Sequence, residues 1–338
     1  MTRPASPAGH LRALNYAADL PDLLPLLRAS FARDDEDPAT EQTLRRLDWL
    51  ILRVPRGTTT EAQVVSGRAP FFGWVWEHAG RAVGLVALVH AAGRPRRYLL
   101  TNIVVHPDYR GQGIGRALIR RALDYIQRRG AQAWLEVDAQ NTRAQRLYEA
   151  LGFVRVDQRV DWYYPLDVFQ ARAWRGAARA RASHGRDAPA FAAWLEEAYP
   201  RAFQWRWPPQ PLHRTMRPGW LGALARFWHA ATDGRVWTVE EGGRPVAVWA
   251  WWPEPGPVQR TLYLAAAEDL SPDAVQAGLH ALAQVLEPVA VYHFRSGRML
   301  TEPYHLYLNL PLARHAETLP RAGWRQQRVV WWMRFAGG

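Results

Sequence analysis

The sequence predicts an α/β (α+β) fold laid down twice along one chain, and three observations carry that prediction. An apolar run over residues 99–105 leads through a glycine-rich turn into a helical pattern with Ile119, Ala122, Leu123 and Ile126 on one face. Residues 71–78 and 81–90 alternate well enough for strands and meet at Ala79-Gly80 as a hairpin. A weaker echo of the same order returns in the second half. At 338 residues the chain is long for one core and fits two domains.

Taken in order, residues 1–10 read as a flexible start. Residues 11–27 and 41–52 read as helices, separated by the acidic loop Arg33-Asp34-Asp35-Glu36-Asp37-Pro38. The hairpin follows, then the strand over 99–105 closed by His106-Pro107, then a helix ended by Gly130 in the manner of a C-cap. Residues 133–138 read as a strand, 141–150 as a short helix closed by Gly152, and 153–166 as the last strands of the first half. The expected domains are 11–167 and 190–338, joined by an Ala-, Arg- and Ser-rich connector over 168–189.

In the second half, residues 237–251 echo 76–88. A strand over 261–266 and a helix over 274–286 follow. Ala322-Gly323-Trp324 with Val329-Val330-Trp331-Trp332 echoes Leu151-Gly152-Phe153 with Val160-Asp161-Trp162-Tyr163. Each echo alone is weak; their shared order is the better argument.

Composition narrows the function. There is no Cys, which removes disulfides, thiolate metal sites and a Cys nucleophile. The 11 His show no spacing that suggests a metal ligand set, so no metal is expected. The formal net charge of +12 is spread over both halves and comes from Arg alone. An arginine-rich surface suits a polyanionic cofactor, and nucleic acid is not expected as a partner. Met1-Thr2-Arg3-Pro4-Ala5-Ser6-Pro7 lacks an apolar core, and no apolar run is long enough to span a bilayer. The expectation is a cytoplasmic protein with no membrane contact, a monomer or homodimer.

The chemistry starts at Arg110-Gly111-Gln112-Gly113-Ile114-Gly115-Arg116. Alternating glycines between a strand and a helix start remove side chains, so backbone N–H groups can point at an anion that the helix dipole also favours. A ligand-free turn needs one glycine, not three. A P-loop needs a Lys, and the chain has none. The G-x-G-x-x-G fingerprint fails because Arg116 or Leu118 falls where its third glycine belongs. What remains is R-x-x-G-x-G/A after Val104-Val105-His106-Pro107-Asp108-Tyr109, and this closely resembles the acetyl-CoA loop of the GNAT superfamily of N-acetyltransferases.

The resemblance is strong over 99–165. It implies a tandem GNAT fold, with a mixed, mostly antiparallel central sheet flanked by helices in each half. It implies acetyl-CoA as cosubstrate, held by the residues from Arg110 to Arg116 and by Ile103, Val104 and Val105 along the pantetheine arm. The Val105 N–H becomes the expected oxyanion donor. Further on, Leu135-Glu136-Val137, Asn141, Ala144, Leu147-Tyr148, Leu151-Gly152-Phe153 and Asp161-Trp162-Tyr163-Tyr164-Pro165 resemble the branch that acetylates N-terminal amines of ribosomal proteins. By that resemblance Glu136 is the general base through water, Tyr148 protonates the thiolate and Asn141 binds the pantetheine arm.

Plainer readings stand beside these. Tyr148 lies at helical spacing from Ala144 and Leu151 and could simply pack. Glu136 could line a pocket or pair with an Arg, and Asp138 on the same face is a competing base. The acidic loop could attract a cationic amine or face water. Most of the 18 Trp fall in the second half, where they could form a core or line an acceptor site. That half reads Ala267-Glu268-Asp269-Leu270-Ser271-Pro272 where a cradle should stand, with Ser271-Pro272-Asp273 as an ordinary helix cap, so it is expected to be a degenerate copy.

The functional expectation is an N-acetyltransferase acting on a primary amine, either a peptide N-terminus or a small molecule, with one active site in the first half. Tandem members of the family that the chain resembles often act on small amines such as antibiotics or thiol precursors. The alternative is a non-catalytic acyl-CoA-binding sensor or interaction protein.

Overall fold

A computed structural model of the chain describes residues 9–31, 57–66, 69, 71–91, 96–205, 235–253, 260–295 and 304–337. The expected helix over 41–52 and the acidic loop lie outside the described residues. In chain order the elements are β1 (His10–Ala13), α1 (Tyr16–Phe31), α2 (Glu61–Val65), β2 (Phe72–His78), β3 (Arg81–Ala91), β4 (Arg97–Val105), α3 (Ile114–Gln127), β5 (Gln132–Asp138), α4 (Thr142–Glu149) and β6 (Phe153–Leu166). They continue as α5 (Val168–Ala173), β7 (Arg179–Ala182), α6 (Ala188–Ala198), β8 (Arg235–Glu241), β9 (Arg244–Pro253), β10 (Arg260–Ala266), α7 (Pro272–Arg295), β11 (Tyr304–Pro311), α8 (Thr318–Arg321) and β12 (Arg325–Phe335).

These elements form two compact units, Met1–Asp157 with Trp331–Gly338, and Gln158–Val330. The division therefore falls elsewhere than at the connector expected over 168–189. Both passages between units occur inside strands: β6 begins in unit 1 and ends in unit 2, and β12 does the reverse. The expected connector carries α5 and β7, and β7 pairs with β8 from Arg179↔Glu240 to Ala182↔Trp237.

Unit 1 is a mixed sheet in the order β1-β2-β3-β4-β5-β12, antiparallel through β4 and parallel between β4 and β5. Its centre is covered on both faces. Val83, Val86 and Leu88 of β3 share a core with Ile114, Leu118, Ala122 and Ile126 of α3, while Ala82, Leu85 and Ala87 share one with Leu20, Leu23 and Leu27 of α1. Removing such side chains from water, at about 25 cal/mol per Å² of apolar surface, holds both helices on the sheet. Unit 2 has the antiparallel sheet β7-β8-β9-β10 and pairs β11 with residues 159–166 of β6. Among the described residues no helix is long and apolar enough to cross a membrane.

The helix expected over 11–27 begins later. His10–Ala13 is extended and pairs with β2 from His10↔Glu77 to Ala13↔Trp74, and the helix starts at Tyr16. The reason is tertiary. Extended backbone lets Arg12 donate from Nε to Glu77 at 2.5 Å and from Nη1 to the buried carboxylate of Asp19 at 2.8 Å. Edge pairing and this clamp outweigh helical propensity.

The same clamp recurs in unit 2. Arg181 on β7 donates from Nε to Glu240 on β8 at 2.8 Å, and from both Nη atoms to Asp187 at 2.7 and 2.9 Å. In both units the aspartate also accepts from a nearby main-chain N–H, Asn15 to Asp19 and His184 to Asp187. The element order repeats too, as β1-α1-β2-β3-β4-α3-β5-α4-β6 and β7-α6-β8-β9-β10-α7-β11-α8-β12, with α2 and α5 outside it. The weak sequence echo thus corresponds to a repeated architecture with its own repeated ion-pair cluster.

Burial alone would raise the Asp187 carboxyl, but Arg181, the His184 N–H and the Thr238 hydroxyl outweigh it and hold the group down to about 2. Its contribution to stability is complete above the unfolded value of ~3.9. It is lost as the pH falls from there through about 2. Asp187→Asn is expected to lower the unfolding free energy at neutral pH by about 2 kcal/mol. It should also flatten the loss of stability between about pH 4 and about pH 2. Urea titrations over that range check both, and an unchanged midpoint at neutral pH contradicts the clamp.

Candidate active site

The parallel pairing of β4 with β5 runs from Arg97↔Gln132 to Leu100↔Leu135 and stops there. Beyond that point the strands diverge, leaving a slot between 101–105 and 136–138. The register of β4 against β3 shifts between Leu85 and Ala87, and Asn102 opposite that shift has φ +51°. An extra residue in left-handed conformation bends the strand, and Asn tolerates that conformation better than most residues. His106 N–H donates to Val83 O on β3 at 2.8 Å. Main-chain groups alternate sides along a regular strand, so past the bulge the N–H group of Val105, next to His106, faces the slot. Val104, Cα partner of Leu85, turns its main chain to β3 and frames the slot rather than facing it.

The cradle abuts the end of this slot. A 3₁₀ turn, Pro107–Tyr109, is capped by the His106 ring, which accepts from Asp108 N–H at 3.3 Å. Arg110 folds back and donates from Nε to Val105 O at 3.0 Å, and Gln112 donates to Asp108 O at 3.3 Å. Gly111 and Gly113 have φ of +84° and +85°, and a Cβ at either would stand in open space. Their glycine identity therefore answers to backbone conformation and not to crowding by the protein. Gly113 caps α3 without a side chain to offer, so the first-turn N–H groups stay available. A Cβ on Gly115 would make ordinary van der Waals contact, 3.7 Å from Leu147 and 3.8 Å from Val105. Arg110 and Gln112 are exposed, Arg116 is half-buried, and Ile114 is a core residue.

Glu136 is the first residue of β5 past the last paired one. It is half-buried and on the face opposite Leu135 and Val137, which enter the core. Asp138, the competing base, has another task. Its Oδ1 accepts from Gln140 N–H at 2.7 Å, and its carbonyl accepts from Asn141 N–H at 3.0 Å and from Gln145 Nε2 at 2.9 Å. It shapes the turn into α4. Asn141 caps α4, its Oδ1 accepting from Ala144 N–H at 3.1 Å, which leaves its amide NH₂ to donate elsewhere. Tyr148 packs its ring in the core, 6.0 Å from Phe153, yet its hydroxyl bonds to no described residue. Burial pushes the phenol up to about 12, so it stays protonated at neutral pH. Packing and proton donation are thus compatible roles for this residue.

Sequence reasoning missed three parts of the site. Asn102 supplies the bulge, Gln145 braces the turn from a buried position, and Met333 and Phe335 enter the unit 1 core from the far end of the chain. A polar residue inside the apolar run was the available signal for Asn102; nothing local marks the other two.

The second unit carries the same frame without the bulge. Ala267 N–H donates to Val246 O at 2.9 Å, as His106 does to Val83. The register of β10 on β9 is unbroken from Arg260↔Pro253 to Ala266↔Ala247, so the bulge is missing. The outward Leu264 N–H donates to the buried Tyr199 hydroxyl at 3.0 Å. Ser271 Oγ caps α7 at 3.0 Å and donates to Glu241 at 2.6 Å. The Leu264 N–H and the start of α7 thus have partners within the chain. Trp237, Trp249 and Trp324 stack at 6.5 and 6.4 Å within the unit 2 core, which agrees with the packing reading of the tryptophans.

Residues 27–153 match the profile of the acetyltransferase (GNAT) family. The chain is 48% identical over 69 residues to the [ribosomal protein bS18]-alanine N-acetyltransferase of Escherichia coli, which covers 20% of this chain and 47% of that protein, so it spans about half the length of that relative. It is 33% identical over 144 residues to the N-alpha-acetyltransferase RimI of Mycobacterium tuberculosis, covering 38% of this chain and 87% of that one. Among solved structures, a GCN5-related N-acetyltransferase from Sphaerobacter thermophilus aligns over 96% of this chain and 94% of its own, at 20% identity and a TM-score of 0.49. The identity to a relative covered over most of its length, with a profile match that includes the cradle and the strand on either side, makes this chain a member of the GNAT acetyltransferase family.

Proposed function

We propose that unit 1 binds acetyl-CoA and transfers its acetyl group to a primary amine by direct attack on the thioester. The observation that carries this reading is the slot with outward N–H groups running into a glycine cradle at the start of α3. The cradle N–H groups from Gly111 to Arg116 hold the pyrophosphate, with Arg110 and Arg116 adding charge. The main chains of Ile103 and Val105 and the Asn141 amide hold the pantetheine arm. Bound acetyl-CoA supplies the activated acyl group. Val105 N–H donates to the oxygen that gains charge during attack. Glu136 takes a proton from the amine through water, and Tyr148 donates to the departing sulfur. Asp138, occupied by its turn, is the weaker candidate for base.

A peptide N-terminus is the favoured acceptor, because Glu136 and Tyr148 stand at the positions used by the branch that acetylates ribosomal proteins; a small amine is the other candidate. Unit 2, with Tyr199 on its strand and Ser271 on its helix, binds no acetyl-CoA.

Calorimetry is expected to show one acetyl-CoA bound per chain, weakened about tenfold by Arg110→Ala. No binding, or no effect of the substitution, contradicts the reading. Against a panel of peptides and small amines, followed by mass spectrometry, Glu136→Gln and Tyr148→Phe are each expected to lower kcat about 100-fold with KM for acetyl-CoA little changed. Binding without turnover on any amine would instead favour a sensor. Because Tyr148 is held at about 12, kcat should show no falling limb from its titration below about pH 9. A loss in that range that Tyr148→Phe abolishes contradicts its assignment.

A further inference from the structure

The end of β12 leaves the unit that precedes it and completes unit 1. Met333 is fully buried in the core that holds Leu135, Val137, Tyr148 and Phe153. Two residues on, the Phe335 ring meets Phe153 edge-on at 5.6 Å and 63°. Its Cε2 lies 3.2 Å from where a Gly152 Cβ would stand, and Gly152 itself has φ +94°. Ala336 N–H donates to Gly152 O at 2.9 Å, and Gln127 of α3 donates to Gly337 O at 3.2 Å. Phe153 in turn meets Tyr148 at 6.0 Å and 62°. A line of rings therefore runs from Phe335 through Phe153 to Tyr148. Residues 335–337 clasp the exit of α4 and the end of α3, the two helices that carry Tyr148 and the cradle.

We propose that Phe335, on the strand returned from the second half of the chain, is a positioning residue that sets Tyr148 for proton donation. The proposal rests on the acetyl-transfer reading of unit 1. Edge-to-face rings have a preferred geometry. Packed cores pass a displacement on rather than absorb it. Removing Phe335 lets Phe153 relax into the vacated space and carries the Tyr148 hydroxyl away from its line of transfer. Misplacing a reacting group by about 1 Å costs up to about 100-fold in rate. The tandem arrangement then has a chemical consequence: the catalytic half depends on the second half for a strand.

The test uses the full chain with Phe335→Ala, Phe335→Leu, Tyr148→Phe and the double variant Tyr148→Phe with Phe335→Ala. Phe335→Ala is expected to lower kcat about tenfold with KM for acetyl-CoA within about twofold, and Phe335→Leu to retain most of kcat. In the Tyr148→Phe background Phe335→Ala should cost nothing more in kcat. Multiplicative losses in the double variant, or a rise in KM in place of the fall in kcat, overturn the proposal. An independent readout is ¹⁹F NMR of the protein labelled with 3-fluorotyrosine, the Tyr148 signal being identified by its loss in Tyr148→Phe. That signal should move in Phe335→Ala and, by less, in Phe335→Leu. An unmoved signal overturns the proposal whether or not the protein transfers acetyl groups, while absent turnover in the wild type with a moved signal overturns only the acetyl-transfer reading.

Discussion

The site depends on one constraint: two parallel strands that pair as far as Leu100 and Leu135 and then part. Main-chain N–H groups at a parting edge need acceptors, since an unmet buried donor costs as much as a lost hydrogen bond. In unit 1 the strand is bulged at Asn102, the Val105 N–H faces away from β3, and Arg110 binds the Val105 carbonyl. This is the edge proposed to receive the ligand. In unit 2 the same edge is straight, and Tyr199 supplies the acceptor from within the chain. The two halves display two solutions to the same problem, one open and one closed.

Around the slot, the frame is held by devices that occur twice. The Arg-Asp-Glu clusters tie the first strand of each unit to its hairpin and to the start of its first helix. Surface ion pairs contribute little, but here each aspartate is buried and shares its oxygens with a main-chain N–H, which raises the cost of losing the arginine. The terminal strands behave differently. Both β6 and β12 begin in one unit and end in the other, so each core includes residues encoded with the opposite half.

Much of the site was legible because its signals are local. The glycines act through backbone conformation at their own positions, Asn141 caps the helix that follows it, and Tyr148 sits one face along that same helix. The hairpins, α3 and β10 were likewise readable from period and turn residues. What could not be read is non-local. Residues 11–13 suit a helix until a partner strand is known. The connector expected over 168–189 reads as loose composition, yet β7 finds its place against β8. Asp138 and Glu136 share a face and look equivalent until Gln140 is seen to claim one of them. No periodicity in residues 331–335 announces which core they enter.

The central claim is that the outward N–H groups of the unit 1 slot and its cradle receive acetyl-CoA while the matching edge of unit 2 stays closed. Amide hydrogen exchange of the full chain with and without acetyl-CoA tests it most directly. The account predicts that the cofactor slows exchange at Ile103, Val105 and the N–H groups from Gly111 to Arg116, and leaves Leu264 and Ala266 unchanged. Unchanged exchange across the unit 1 slot with acetyl-CoA present, or slowing confined to 264–266, would contradict it.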